Sequence, residues 1–110
     1  MPDVKAKVDL NRFLEQARAG IGELLHGAAI SSSVIYNDTK EPVTFYVYNY
    51  IDPVYYISAQ KALVAPGYYG IVAASGKFYK IHPNDKKEEE FLVAPGKAYV
   101  YHGPGKVESV

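Results

Sequence analysis

Apolar side chains near the start of the chain recur at spacings of three and four residues. Eight positions follow this spacing: Leu10, Phe13, Leu14, Ala17, Ile21, Leu24, Leu25 and Ala28. On an α-helix they form a single apolar stripe. Asp9 is a suitable N-cap because its carboxylate can accept a hydrogen bond from the free amides of the first turn, and Gly27 is a suitable C-terminal stop. The pattern predicts an amphipathic helix over residues 10–26, weakened by Gly20 and Gly22.

The pattern changes after Ser31, Ser32 and Ser33 to short runs rich in Val, Ile, Tyr and Phe, which turn residues separate. The runs cover residues 34–36, 43–51, 54–58, 62–65, 69–74, 77–82, 90–94 and 97–102. Seven or eight strands spaced by about ten residues are typical of an antiparallel β-sandwich or small barrel. We therefore predict a mainly β fold in one compact domain. Residues 1–33 form its N-terminal helix and Ser-rich connector, and residues 34–110 form the sandwich.

One short sequence occurs twice. Leu-Val-Ala-Pro-Gly stands at residues 63–67 and again at residues 92–96. Pro followed by Gly suits a type II turn, because Pro fixes one φ angle and Gly accepts the positive φ that follows. We expect the two copies to form the same strand–turn–strand corner.

The run at residues 43–51 alternates between two kinds of side chain. Val43, Phe45, Val47 and Ile51 point to one face, and Thr44, Tyr46, Tyr48 and Tyr50 point to the other. The first row is the better candidate for the core. The second row places phenol rings side by side on the opposite face.

The apolar stripe of the helix needs a partner, because exposed apolar patches are rare. The sheet, a second subunit and a lipid surface are the three options. The rest of the helix surface is neutral, with Arg12 and Arg18 balanced by Glu15 and Glu23, whereas helices that bind anionic membranes carry excess Lys and Arg. We therefore expect the stripe, from Leu10 to Leu25, to be an interaction face that packs on the sheet.

Composition excludes several functions. The chain has 110 residues, with 12 Lys and Arg against 12 Asp and Glu, so it lacks the broad positive field that nucleic acid binding needs. It has no Cys, which excludes disulfides, thiolate nucleophiles and Cys-ligated metals. The N-terminus does not read as a secretory signal peptide, so we expect a cytoplasmic protein, or one exported without a recognisable signal peptide.

No catalytic motif is present, so the sequence predicts a protein that is not an enzyme and has no cofactor. His82 and His102 each end a predicted strand and could meet at one end of the sandwich. No fixed ligand spacing supports a metal site there, and we expect two partly exposed strand-end residues. The charged run at residues 86–90 and the loop at residues 37–40 are interpreted as solvated turns.

Tyrosine is unusually frequent, with 11 Tyr against 4 Phe. A tyrosine offers a flat ring for stacking and a hydroxyl for hydrogen bonding, which suits sugars, choline headgroups or protein partners. In a Tyr-Tyr pair on a strand, one ring must face outward. The group near predicted turns is the candidate ligand site: Tyr50, Tyr55, Tyr56, Tyr68 and Tyr69.

The layout of a neutral amphipathic helix, a Ser-rich connector and a Tyr-rich sandwich resembles that of actinoporin-like proteins. The segments Val34-Ile35-Tyr36-Asn37-Asp38 and Ala62-Leu63-Val64-Ala65-Pro66-Gly67 look similar to the first strands of that family. The resemblance covers residues 10–76. It implies a helix that inserts into membranes and, at Tyr55, Tyr56, Tyr68 and Tyr69, a pocket for a lipid headgroup.

Three functional hypotheses follow. The first is a binding module that holds a small polar ligand, a glycan or a lipid headgroup on clustered tyrosines. The second is a homo-oligomeric structural protein that assembles through the helix stripe or a sheet face. The third is a membrane-active protein of the actinoporin kind.

Overall fold

The protein is a two-sheet β-sandwich with one N-terminal helix, as predicted. The computed structural model describes residues 7–25, 27–28, 32–51, 55–72 and 79–110, and their side chains except those of residues 49–51 and 55–59. The helix α1 spans Leu10–Ala19. The described strands are β1 (Ser33–Asn37), β2 (Val43–Ile51), β3 (Tyr55–Val64), β4 (Tyr69–Val72), β5 (Tyr79–Pro83), β6 (Phe91–Val93), β7 (Ala98–Gly103) and β8 (Lys106–Ser109).

The strands form two four-stranded sheets rather than a closed barrel. The first sheet has the order β4-β1-β7-β8, and the second has the order β3-β2-β5-β6. Of the six described strand pairs, five are antiparallel. In the sixth pair, β1 runs parallel to β7. The prediction of an antiparallel sandwich is therefore wrong at this pair. β1 and β7 come from distant parts of the chain, so no hairpin fixes their direction.

The inner faces of both sheets enclose the main core. Val43, Phe45 and Val47 of β2 are buried there, as the alternation of residues 43–51 predicts. Tyr99 and Tyr101 enter from the first sheet. The Phe45 and Tyr101 rings meet edge to face, with their centroids 5.3 Å apart.

The helix is shorter than predicted. It ends at Ala19 because the next residue, Gly20, has a φ of 130°, a conformation that L-residues rarely adopt. A 3₁₀ turn follows at Glu23–Leu25. Asp9 stands at the N-cap position, but its side chain makes no capping hydrogen bond. The predicted stop at Gly27 is therefore too late, because the glycine at position 20 already breaks the helix.

The apolar residues before and after this break nevertheless face the same way, and they pack on the outer face of the first sheet. All eight stripe residues belong to one apolar cluster with Val34 and Tyr36 of β1, Tyr69 and Ile71 of β4, and Ala98 and Val100 of β7. Phe13 is fully buried, and its ring centroid lies 5.0 Å from that of Tyr36 and 5.5 Å from that of Tyr69. The first sheet is thus the partner of the stripe within this chain.

Two hydrogen bonds fix the entry to the helix. The Val8 amide donates to the Gly67 carbonyl over 2.8 Å, and the Tyr36 hydroxyl donates to the Val8 carbonyl over 2.6 Å. These bonds tie the chain before α1 to β1 and to the corner between β3 and β4. The N-terminal segment is held by polar contacts at its start as well as by its apolar stripe.

The repeated Leu-Val-Ala-Pro-Gly sequence forms the same corner twice, as predicted. Gly67 and Gly96 have φ angles of 77° and 76°. Each turn carries the chain from an edge strand of the second sheet, β3 or β6, to a neighbour of β1 in the first sheet. The Gly67 amide donates to the Asn37 carbonyl, and the Gly96 amide donates to the Ser32 carbonyl. Each corner is therefore hydrogen-bonded to one end of β1.

The strand predictions differ from the structure in two places: two predicted strands are one, and one strand is missing from the prediction. The runs at 54–58 and 62–65 form one strand, β3, whose register on β2 skips one residue at Ala59, which is a β-bulge. The last strand, β8, was not predicted, because its sequence Lys-Val-Glu-Ser lacks the β-branched and aromatic run that marks the others. It is an edge strand whose side chains are mostly exposed.

We expect Phe13→Ala to lower the free energy of unfolding by about 3–5 kcal/mol, because it opens a cavity between the helix and the two tyrosine rings. Leu63→Ala is the matched control, since Leu63 is 68% exposed, and it should change stability by about 0.5 kcal/mol or less. Urea unfolding measures both. Equal losses for the two variants would show that the helix does not contribute to the folded core.

Candidate functional site

The structure does not bring the predicted tyrosine group together. Tyr69 is 3% exposed and lies beneath α1, and Tyr68 packs against the main core. The backbone pairs Tyr50 with Tyr56, and Ile51 with Tyr55, at the far end of β3 from Tyr68. That ten-residue strand is about 30 Å long. The side chains of Tyr50, Tyr55 and Tyr56 lie outside those described.

Tyr69 is therefore unsuited to the surface pocket predicted for it. The prediction assumed that a tyrosine pair beside a turn has little core to cover. The helix stripe supplies that core instead, because it places Phe13 over Tyr69. Of the five predicted ligand-site residues, the structure shows the side chains of two, and both of them pack against apolar clusters.

A different set of side chains gathers on the outer face of the second sheet. Phe45 and Val47 point into the core. Tyr46, which lies between them, and Tyr48, which follows Val47, therefore point outward. His82 of β5 lies opposite Tyr46, and Lys80 lies opposite Tyr48. We call this surface the tyrosine face, and it consists of Tyr46, Tyr48, Lys61, Leu63, Lys80, His82 and Leu92.

Three rings form a column at the centre of the tyrosine face. The His82 ring stacks on Tyr46 at a centroid distance of 5.1 Å and on Tyr48 at 5.4 Å. The Tyr48 hydroxyl and His82 Nε2 share a hydrogen bond of 3.1 Å. His82 is 3% exposed, so the expectation of a partly exposed strand end is wrong for it. The stack and the hydrogen bond hold the three rings in one arrangement.

Two leucines flank this column. Leu63 of β3 is 68% exposed and Leu92 of β6 is 59% exposed, and they are the exposed large hydrophobic side chains of the described residues. Leu63 of β3 lies at the level of Thr44, and Leu92 of β6 lies at the level of Tyr48. The spacing between strands and the rise per residue then place the two leucines about 20 Å apart, at diagonal corners of the face.

The polar groups of the face carry few free charges. Lys80 pairs with Glu90 at 3.2 Å, and Lys61, opposite Tyr46, is exposed. The face thus combines rings, hydroxyls, two leucines and one exposed ammonium group. It can bind a ligand by stacking, apolar contact and hydrogen bonding.

The two described histidines lie on different sheets. His82 lies on the second sheet, and His102 lies on β7 of the first, while His26 lies outside the described residues. Within the described part of the chain, no group of three or more His, Asp and Glu can hold a metal ion. His82 and His102 therefore do not meet, and His102 is partly exposed, as expected of a strand-end residue.

His102 instead links three strand ends of the first sheet. Its Nδ1 lies 2.9 Å from Asp38 Oδ2, and its Nε2 lies 2.9 Å from Glu108 Oε1. The hydrogen bond to Glu108 is the main cause that raises the pKa of His102 above 6.5, burial acts in the opposite direction, and Asp38 adds to the increase. Two carboxylates accept hydrogen bonds from both ring nitrogens only when the imidazole is protonated.

Comparisons with protein-family models, with curated proteins and with solved structures found no match for the chain. The resemblance to actinoporin-like proteins therefore stays a prediction. Within the described residues, no helix has the length and apolar character needed to cross a bilayer.

The alternation along residues 43–51 predicts that Tyr46 and Tyr48 share an outward row, although the predicted ligand site does not include them. The signal was their strict alternation with buried residues in the middle of a long strand. It would have been decisive with one further consideration, namely that a single helix covers only one of two sheets. No sequence signal showed that His82 lies between the two rings, because that contact depends on the register of β5 on β2.

We expect His102→Gln to destabilise the protein more at pH 6 than at pH 9. Because the folded protein raises the pKa of His102, its stabilisation is fully present below about pH 6.5 and is lost as the pH rises through the folded value. Urea unfolding at both pH values measures the difference. Glu108→Gln should also flatten the pH dependence, and equal losses for His102→Gln at both pH values would contradict the ion-pair geometry.

Proposed function

We propose that this protein is a non-enzymatic binding module whose ligand surface is the tyrosine face. The observation that carries the proposal is the contrast between the two sheets. The helix stripe covers the outer face of the first sheet, whereas the second sheet presents a fixed column of Tyr46, His82 and Tyr48 between two exposed leucines. The accessible part of this column is the two half-buried phenols, because His82 is itself only 3% exposed.

A glycan is the ligand class that this surface fits best. Sugar rings present apolar C–H faces that pack on aromatic and aliphatic side chains, and hydroxyls that exchange hydrogen bonds with phenols and ammonium groups. The described part of the face is a sheet surface rather than an enclosed pocket, which suits an extended chain of sugar units. The rings are also held in place before binding, which lowers the entropy that binding must overcome.

The lipid alternatives are less well supported. A membrane-active helix would need its apolar stripe free, yet the stripe packs on the first sheet through Phe13, Leu24 and Leu25, each at most 3% exposed. Insertion would first have to break that cluster. The headgroup alternative has less support, because the tyrosine face offers a phosphate one exposed cation, Lys61, while Lys80 is paired with Glu90.

We expect the protein to bind one or more polysaccharides on a glycan array, and Tyr46→Ala with Tyr48→Ala to weaken that binding at least tenfold, since stacking and hydrogen bonds are both lost. Both side chains point away from the main core, so the variant should remain folded by circular dichroism. The matched control is Phe13→Leu, a core change on the other sheet that should leave binding unchanged. No binding to any glycan, or full binding by the double variant, would refute the proposal.

A second candidate function is self-assembly through the same face. Leu63 and Leu92 favour it, because they stand at diagonal corners and are exposed. In a face-to-face dimer whose two-fold axis lies in the interface and passes over the column, Leu63 of each copy would contact Leu92 of the other. Self-assembly and glycan binding would then compete for one surface.

Self-assembly predicts a dimer in light scattering at high protein concentration, and Leu63→Ser with Leu92→Ser should shift it to the monomer because the apolar contacts are lost. The same substitutions should leave glycan binding largely intact if the column is the ligand site. A strict monomer at millimolar concentration would leave only the glycan hypothesis.

A further inference from the structure

The hydrogen bond between Tyr48 and His82 decides what the Tyr48 hydroxyl can offer to a ligand. The hydroxyl oxygen lies 3.1 Å from His82 Nε2. In a neutral imidazole, one ring nitrogen carries a proton and the other accepts one. If Nε2 is the acceptor, the hydroxyl donates its proton to His82 and presents only lone pairs to a ligand. If Nε2 carries the proton, the hydroxyl accepts from His82 and can donate its own proton to a ligand.

The second ring nitrogen of His82 selects between these two forms. Nδ1 is buried and has no hydrogen-bond partner within the described part of the chain, and the whole residue is 3% exposed. Unpaired N–H donors are rarer in protein interiors than unpaired acceptors. The hydrogen-bond network therefore favours His82 with its proton on Nε2 and a bare Nδ1. In this form His82 donates to the Tyr48 oxygen, and the Tyr48 proton is available at the half-buried edge of the ring column.

A second donor lies beside the column. Lys61 of β3 is exposed and stands directly opposite Tyr46, and an ammonium group has three N–H donors and no acceptor. Lys80, opposite Tyr48, is paired with Glu90. The seven residues that define the tyrosine face include two lysines and no acid. The face therefore combines stacking rings with a hydroxyl donor and a positively charged donor.

These donors fit a carboxylate better than a neutral hydroxyl group. A carboxylate accepts hydrogen bonds through both oxygens and donates none, and its bond to an ammonium group is strengthened by the opposite charges. A chain of uronic acid units has such a group on every unit, and its sugar rings also have apolar faces that stack on phenols. A carboxylate then lies within reach of Lys61 whichever units of the chain stack on the column.

We propose that the tyrosine face prefers acidic polysaccharides built from uronic acid units to neutral ones. Tyr46 and Tyr48 stack on the sugar rings, while the Lys61 ammonium group and the Tyr48 hydroxyl donate to the carboxylates. This preference rests on the proposed function, because it specifies the class of glycan that the same surface binds.

Calorimetric titration of the wild-type protein with charged and uncharged forms of the same polymers tests the preference. The probes are polygalacturonate, alginate and hyaluronan, each beside its methyl ester, which keeps the sugar rings but removes the negative charge. At low ionic strength, at least one acidic polymer should bind about tenfold more tightly than its ester. If no acidic polymer binds better than its ester, the preference is overturned. Binding to neutral glycans would then leave the proposed function standing, whereas an empty glycan array would refute that function itself.

Two lysine variants separate a specific contact from general attraction between charges. Lys61→Gln should weaken binding to the preferred acidic polymer about fivefold or more, and Lys61→Arg should retain binding because it keeps the charge. Lys106→Gln is the matched control, since it removes the same charge from an exposed position on β8 of the first sheet, and it should leave binding unchanged. Equal losses in Lys61→Gln and Lys106→Gln would overturn the proposal.

The direction of the His82 hydrogen bond can be measured without any glycan. Long-range ¹H–¹⁵N NMR spectra of the wild-type protein at pH 8 distinguish a proton on Nε2 from one on Nδ1, and the His82 signals are identified by their absence in His82→Gln. We expect the proton on Nε2. A proton on Nδ1 would mean that Tyr48 donates to His82 instead of to a ligand, and it would overturn the proposal while leaving glycan binding itself untouched.

Discussion

The packing of Phe13 between Tyr36 and Tyr69 organises the rest of the molecule. It places the N-terminal segment on the outer face of the first sheet, and the hydrogen bonds of Val8 to Gly67 and Tyr36 hold that segment at its start. The helix has ten residues, too few to be stable alone in water. Its structure therefore depends on the sheet, and the sheet in turn depends on the helix to cover Ile71, Val100 and their neighbours.

This arrangement makes the two outer faces of the sandwich unequal. One apolar stripe can cover one sheet, and here it covers the sheet that contains β1, the strand gripped at both ends by the repeated corners. On the other sheet the tyrosines must stabilise one another. His82 fills the space between Tyr46 and Tyr48, and the three rings hold one another in one arrangement. If this face binds a ligand as proposed, the fixed rings leave little conformational entropy to be lost on binding.

Periodicity predicted what depends on local spacing. The apolar stripe, the strand at residues 43–51 and the two Pro-Gly corners all follow from which residue types recur at which intervals. The early helix end at Gly20, the parallel pairing of β1 with β7 and the bulge at Ala59 could not be predicted in this way. The helix end depends on whether tertiary contacts offset the conformational cost of a glycine, the parallel pair depends on the pairing of distant segments, and the bulge depends on the register of the β2–β3 pair. The place of His82 between Tyr46 and Tyr48 depends on the register of β5 on β2, which the spacing of residues along the chain does not predict.

The number of tyrosines, which drew attention to ligand binding, does not measure it. Several tyrosines are structural. Tyr36 donates to the Val8 carbonyl, and Tyr99 accepts from the Ala94 amide over 2.9 Å, so each joins an apolar ring to a backbone group that phenylalanine would leave unpaired. Tyr79 is buried so completely that burial raises its pKa to about 12. Where the neighbouring positions fill the core, as on either side of Tyr46, a tyrosine stays partly exposed. The position of a tyrosine in the alternation of its strand therefore says more about function than the count of tyrosines in the chain.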